Sequence, residues 1–519
     1  MQILVRLLSR PGAAALAFLI AALVLILLRP LLAVDETRYL TVAWEMWTGG
    51  SKIVPHLNGE VYSHKPPLLF WLVNLVWTIF GTSDLLARFV APLAGAGAVL
   101  LTGRLARVLW PEMPERAGRA AWALAGTGVF LAYGSATMFD TLLTVATLCG
   151  IWSLWALARR AEISRSVVLG LGAALALGVL AKGPVILLHV LPAALAYPLW
   201  RPGPLTLPPR RFYTGLGLGL LVCLALLALW LGPALILGDA AYRNDILWRQ
   251  SAGRMVQSFA HDRPVWFFAA LLPLFLWPFG WGRQVLGGWQ ERASPQVRLL
   301  MIWAVAGLVA FSFVSGKQIH YLLPELAALA LLLSIAAPGS LGRVTRFLPL
   351  LPALGLAGAG VAALLGFVPE KTLPGGVSPL ALLGGLALLA ATLGLVARAR
   401  TPLGALAPVA PATLILFELL VWRSLWLDSD PGRIAALLAA DADKGVATTD
   451  ITYAGEFTYA ARLPAPVRVL RDDAALVAWM QDHPGGLLLT VAPLTRSDLA
   501  PLGDAPLQRD HWYVYRVTP

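Results

Sequence analysis

Apolar residues fill the chain in long runs separated by short polar breaks. About thirteen of these runs reach the roughly twenty residues that a bilayer-crossing helix needs, counting the stretch 35–84 as a loop. The first, 11–32, follows Arg6 and Arg10 and has no small-residue cleavage site ahead of a soluble domain, so it predicts a retained span and not a removed signal. Near residue 428 the pattern changes. Helix-like stretches (432–440, 473–482) then alternate with strand-like ones (467–470, 487–491, 512–517) between Pro and Gly punctuation. The pattern therefore predicts a mainly α, polytopic membrane protein. A transmembrane domain is expected over 1–427, with a first outer loop of amphipathic helices over 34–88, and a small α/β domain over 428–519.

Composition agrees: 58% of positions are hydrophobic and 13% charged, more apolar surface than a soluble core can hide, so lipid must cover most of it. The net charge of +12 would suggest nucleic acid in a soluble protein. Here the position of the charges matters more, and no nucleic-acid partner is expected. Breaks holding Arg6 and Arg10, Arg104 to Arg119, Arg159 to Arg165, Arg201 to Arg211, Arg283 to Arg298, Arg343 and Arg346, and Arg398 and Arg400 form one set, the cytoplasmic one. The alternate set faces outside and contains 35–88, 239–263 and the surroundings of Asp140, Lys182, Lys317 and Lys371. An odd number of spans from a cytoplasmic N-terminus puts the last domain outside as well. Cys149 and Cys223 lie in apolar runs and build no disulfide or zinc framework.

The outer breaks hold acids and bases in compact clusters, whereas the inner ones hold arginines that topology alone explains. Asp35, Glu36, Arg38 and Tyr39 follow the first span and open an amphipathic stretch that runs to Trp47. An acidic pair beside an arginine at a bilayer surface can be a simple ion pair. As a site, one carboxylate takes a proton from an acceptor hydroxyl while Arg38 holds an anion. A second cluster carries Glu60, Tyr62, His64 and Lys65, and the prolines after Lys65 force an extended chain. Asp140, before Thr-Leu-Leu-Thr, suits a helix N-cap as well as an acid of the site. Lys182 before Gly-Pro reads equally as the outer end of a span, and the cation-rich loop 243–263 as a flexible cover.

The combination of Asp35-Glu36 with Arg38-Tyr39, then Leu57-Asn58-Gly59, Tyr62 and Lys65-Pro66-Pro67 with an aromatic run resembles the bacterial ArnT and protein-mannosyltransferase superfamily, glycosyltransferases of the GT-C membrane fold. The resemblance continues through Met138-Phe139-Asp140, Ala181-Lys182-Gly183-Pro184, Gly253-Arg254, 261–268 and Ser315-Gly316-Lys317 to Pro324. It implies a polyprenyl-phosphate sugar as donor and a lipid or glycan acceptor outside a bacterial inner membrane. By this resemblance Asp35 is the leading catalytic carboxylate and Asp140 the second acid; whether Asp35 acts as a base depends on the acceptor, because a hydroxyl must lose its proton whereas an ionised phosphate need not. Lys65 would stabilise the departing phosphate. Arg38, Tyr39, Tyr62, Arg254, His261, Lys317 and Tyr321 are the expected contacts to donor phosphate and substrate. In the lipid A aminoarabinose transferases of this family the position before the lysine is commonly acidic and, with a later histidine, can hold a metal. Here it is His64, so His64, His261 and His320 are the candidates for a divalent ion, and no other cofactor is expected.

No Gly-rich loop for a nucleotide sugar is evident. Lipid A, lipopolysaccharide or another envelope glycan are the expected acceptors, with protein O-glycosylation as the alternative inside the superfamily. A lipid flippase or transporter would instead show related halves and charges near mid-membrane. A scaffold whose last domain binds a partner leaves the one-sided clusters unexplained.

Overall fold

The structure is a computed structural model that describes residues 10–203, 206–247, 263–282, 289, 291–335, 342–369, 372–373, 375–399, 401–421 and 424–518. Among the described residues nine helical segments are long and apolar enough to cross a membrane. They are α1 (Pro11–Leu28), a helix over Asp84–Leu109, one over Asp140–Ala158, one over Arg165–Lys182, and segments Pro209–Leu237, Pro295–Phe313, Arg343–Leu364, Pro379–Arg398 and Pro402–Val421. The other four apolar runs, at 115–134, 186–200, 264–282 and 319–335, fold as shorter helices broken by Pro, Gly or turns. The expected mainly α, polytopic architecture is what the chain adopts, and the protein is a multi-pass membrane protein.

Sequence sets the ends of these helices in recognisable ways. Pro11 sits in the first turn of α1, where its missing N–H costs nothing. Between α1 and the next span lie two short helices, α2 (Asp35–Trp47) and α3 (Leu68–Phe80). At about 1.5 Å per residue, neither can cross a bilayer. Helix α4 (Asp84–Leu109) starts with the Ser83 hydroxyl accepting from the Leu86 N–H, and Asp84 faces the positive end of its dipole. Helices α5 (Glu115–Ala125) and α6 (Gly128–Gly134) lead through a turn to α7 (Asp140–Ala158), α8 (Arg165–Lys182), α9 (Ile186–Leu195), α10 (Pro209–Leu237), α11 (Pro295–Phe313) and α12 (Leu323–Leu333).

Packing follows membrane rules. The backbones of α8 and α10 approach so closely that a Cβ on Gly172 would lie 2.5 Å from Val222, and one on Gly219 2.8 Å from Leu171. Small residues at the contact are what permit this. On the outside, α10 leaves Leu229 75% and Ile236 77% exposed, a face that only lipid can cover. Inside, the His189 Nδ1 atom on α9 lies 2.6 Å from Glu325 Oε1 on α12, both residues being buried. Gly307 on α11 makes room for that carboxylate, since a Cβ there would lie 2.2 Å from it.

The last 90 or so residues hold α13 (Gly432–Ala439), α14 (Asp473–Asp482) and a five-stranded sheet. Two short strands, β1 (His56–Leu57) and β2 (Glu60–Val61), form a separate antiparallel pair in the first loop. The sheet comprises β3 (Val446–Thr448), β4 (Arg468–Val469), β5 (Leu487–Thr490), β6 (Leu499–Leu507) and β7 (Asp510–Val517), in the order β4-β3-β5-β7-β6. Its β3, β4 and β5 strands run parallel, while β6 and β7 are an antiparallel hairpin added to one side. Central β3 and β5 are buried at every position, which suits their apolar composition.

This sheet unit is docked on the first loop. The Asn58 side chain donates to the Val467 carbonyl and accepts from the Val467 N–H, at 3.0 and 2.8 Å. The Thr41 hydroxyl donates to the Gly455 carbonyl at 2.8 Å and the Trp44 indole to the Leu463 carbonyl at 2.8 Å. Arg462 pairs with Asp84 and lies over the rings of Trp44 and Tyr459. Because α2 carries Asp35 at its start and these contacts along its length, the C-terminal unit fixes the helix that presents the first acidic cluster.

Candidate functional site

Helix α2 begins at Asp35, directly beyond α1, so the first two carboxylates sit where the chain leaves the membrane. Their fates differ. Glu36 is 1% exposed and turns inward. Its Oε1 accepts from the Thr137 N–H at 2.8 Å and the Thr137 hydroxyl at 2.9 Å, and its Oε2 accepts from the Leu32 N–H at 2.9 Å and pairs with Arg88 at 3.4 Å. Burial pushes this carboxyl up, yet Arg88, Arg29 and the two N–H groups outweigh it and hold it below the ordinary carboxylate range. Glu36 thus ties the start of α2 to the turn before α7. Arg29 completes the tie by donating to the Ser135 carbonyl at 2.6 Å.

Asp35 is half-buried and lines a cavity of about 550 Å³, together with Glu36, Tyr133, Met138, Arg263, Phe267, Lys317 and His320. That volume falls in the range of small-ligand sites. Tyr39, one turn along α2, donates its hydroxyl to Asp35 Oδ1 at 3.1 Å. Burial and the Asp35 charge hold the Tyr39 phenol well above its ordinary value, so it remains a donor. Lys317 is 4% exposed, lines the same cavity, and donates to the Arg263 carbonyl at 2.7 Å.

The second acid stands behind the first. Asp140 is 1% exposed at the start of α7, and its Oδ1 lies 2.5 Å from the Lys182 Nζ at the end of α8. The residue before the helix is Phe139, with no side-chain cap, so the Asp140 carboxylate serves the ion pair and not the helix end. Lys182 also lies 4.8 Å from the centre of the Tyr321 ring. Lys65 stands 5.8 Å over the Phe139 ring, and Phe139 packs edge-on against Tyr39 at 4.8 Å. Lys65 and His320 are both within electrostatic reach of Asp140.

The structure therefore gathers Asp35, Tyr39, Lys65, Asp140, Lys317 and Tyr321, drawn from α2, the loop before α3, α7 and the segment between α11 and α12. Tyr62 is buried against Phe70 and His64, beside this group and not on the cavity wall. Arg38 is half-buried on α2 and makes no ion pair or hydrogen bond among the described residues. Its charge is felt by Glu456 of the C-terminal unit, whose carboxyl is raised chiefly by burial. Arg254 and His261 lie outside the described residues.

Among the described residues no three His, Cys, Asp or Glu side chains are placed to hold a metal ion. His64 is exposed beside Tyr62, while His320 is buried between Tyr133 and Tyr321. The third candidate, His261, lies outside the described residues. Sequence reading left two members of the site in the background. Lys182 reads equally as the end of a span and as part of the Ala181-Lys182-Gly183-Pro184 stretch of the resemblance, and Tyr133, in an apolar run, carries no signal.

The fold and site define a class, that of multi-pass α-helical membrane proteins built like the ArnT crystal structures. The chain superposes on ArnT from Cupriavidus metallidurans bound to undecaprenyl phosphate with a TM-score of 0.76, at 18% identity and covering 97% of each chain. Residues 64–230 match the family model described as dolichyl-phosphate-mannose-protein mannosyltransferase. The chain is also similar to the undecaprenyl phosphate-alpha-4-amino-4-deoxy-L-arabinose arabinosyl transferases of Pseudomonas paraeruginosa (32% identical over 311 residues, 58% of this chain and 55% of that one). The same named protein of Pectobacterium carotovorum is 31% identical over 314 residues, 58% of this chain and 54% of that one. The chain thus spans about half the length of these curated relatives. The family resemblance read from the motifs is borne out at the level of sequence and fold.

Proposed function

We propose that this protein is a glycosyltransferase that moves one sugar from a polyprenyl-phosphate donor to a hydroxyl acceptor at the outer face of a bacterial inner membrane. The observation that carries the reading is the cavity that Asp35 lines with Arg263, Lys317 and His320 at the ends of the spans, beside the buried Asp140–Lys182 pair, whose carboxylate feels the charges of His320 and Lys65. The names of the relatives above support the same donor class, and a lipid A acceptor is the first to try.

In this reading the acceptor oxygen attacks the anomeric carbon while the bond from that carbon to the phosphate oxygen breaks. The departing polyprenyl phosphate takes the bonding electron pair, and Asp35 takes the acceptor proton. Attack from the face opposite the leaving group inverts the anomeric centre. Lys65 faces the charge that grows on the phosphate, with Arg38 and Lys317 as further cations for the donor. Asp140 holds Lys182 over the Tyr321 ring, which packs on the cavity residue His320.

Purified protein given an undecaprenyl-phosphate sugar and lipid A should yield glycosylated lipid A by mass spectrometry. Replacing Lys65 by alanine should lower turnover about 10²- to 10³-fold. Absence of transfer to any envelope acceptor by the wild-type protein would end the reading. For orientation, Ala492→Cys, at an exposed position of the C-terminal unit, should be labelled by a membrane-impermeant thiol reagent in spheroplasts. Labelling only after the membrane is opened would put that unit, and the site with it, on the cytoplasmic side.

A further inference from the structure

One hydroxyl in the cavity is used by none of the steps above. Tyr133 ends α6 and lines the cavity with Asp35 and His320. Its ring packs on the His320 ring at 5.3 Å between centres, which fixes its orientation. Among the described residues its hydroxyl has no hydrogen-bond partner. Both Asp35 and Asp140 are near enough for their charges to act on the phenol. Burial first, and then the two nearby carboxylates, oppose loss of its proton, so the group offers a hydrogen bond and does not act as a phenolate.

The same carboxylates decide what the hydroxyl can meet. A phosphate beside Tyr133 would stand in the field of two negative charges, and the cations on the same cavity wall, Arg263 and Lys317, are not among the charges that act on its phenol. A neutral or amine-bearing sugar ring suffers no such repulsion, and its oxygens accept the phenolic hydrogen bond. We infer that Tyr133 binds the sugar of the donor by hydrogen bonding to a ring or hydroxyl oxygen, between the proton-accepting Asp35 and the Asp140–Lys182 pair. This inference rests on the proposed transferase reading and adds the place of the sugar within the site.

Tyr133→Phe removes the hydroxyl and keeps the ring on His320. Its kcat/KM for the sugar-bearing donor should fall about tenfold, the worth of one hydrogen bond left unmade in a dry site. Its affinity for undecaprenyl phosphate without the sugar should stay within about twofold of wild type, and its thermal unfolding should not move. Wild-type kcat/KM in the variant would overturn the inference while leaving the transferase reading intact. An equal loss of affinity for sugar-free undecaprenyl phosphate would overturn it too, by placing the hydroxyl on the phosphate. A lowered melting temperature together with the loss would overturn it by making Tyr133 structural. Failure of transfer in the wild-type control would instead remove the transferase reading, and this inference with it.

Discussion

Asp35→Asn is expected to lower sugar transfer by a factor of about 10² to 10⁴, the contribution of a positioned base, in a protein that folds and inserts as wild type does. The amide keeps an oxygen that can accept from Tyr39, whose hydroxyl lies 3.1 Å from Asp35 Oδ1, so packing along α2 survives. What is lost is the capacity to take a proton. Because the cations are untouched, affinity for undecaprenyl phosphate should hold or rise slightly, since a negative charge has left the cavity. Steady-state transfer and a direct binding measurement on the same preparation check both halves. Near-wild-type turnover would show that the acceptor proton leaves by another route.

Lys182→Met should act through stability as well as turnover. The ion pair with Asp140 is 2.5 Å long, with side chains 10% and 2% exposed, so deleting the cation leaves a carboxylate without its partner in a dry place. Breaking such a pair costs about 3–5 kcal/mol, a large share of the stability of an ordinary domain. The double replacement Asp140→Asn with Lys182→Met removes the stranded charge and should recover much of that loss in thermal unfolding in detergent. Recovery of stability without recovery of transfer would separate the structural use of the pair from its use in the site. Additive losses in the two single variants and the double would mean that the pair is not coupled, contrary to its geometry.

The C-terminal unit is bonded to the helix that begins with the first acidic cluster. Asn58 and Val467 exchange two hydrogen bonds across 409 residues of chain, and Trp44 reaches Leu463 across 419. We propose that the unit over 428–519 serves to hold α2, and so Asp35 and Arg38, at a fixed angle to the cavity.

Much of this could be read along the chain. Span-length apolar runs, the change of pattern near residue 428 and the sorting of arginines from acid–base clusters are written in near-neighbour order, because a helix repeats every 3.6 residues and a bilayer has a fixed thickness. So is the placing of Asp35 and Tyr39 in one cluster, four residues apart along the chain. The tertiary structure alone decided which of two adjacent carboxylates is taken up by hydrogen bonds and an ion pair with its neighbours. Glu36 turns inward because Thr137, 101 residues away, waits for it. It alone decided that Asp140 takes Lys182, 42 residues on, and does not cap its own helix, and that Tyr133 of an apolar run stands in the cavity wall. Contacts between residues so far apart leave no periodic trace in a sequence, since their partners are chosen by how the helices pack and not by spacing along the chain.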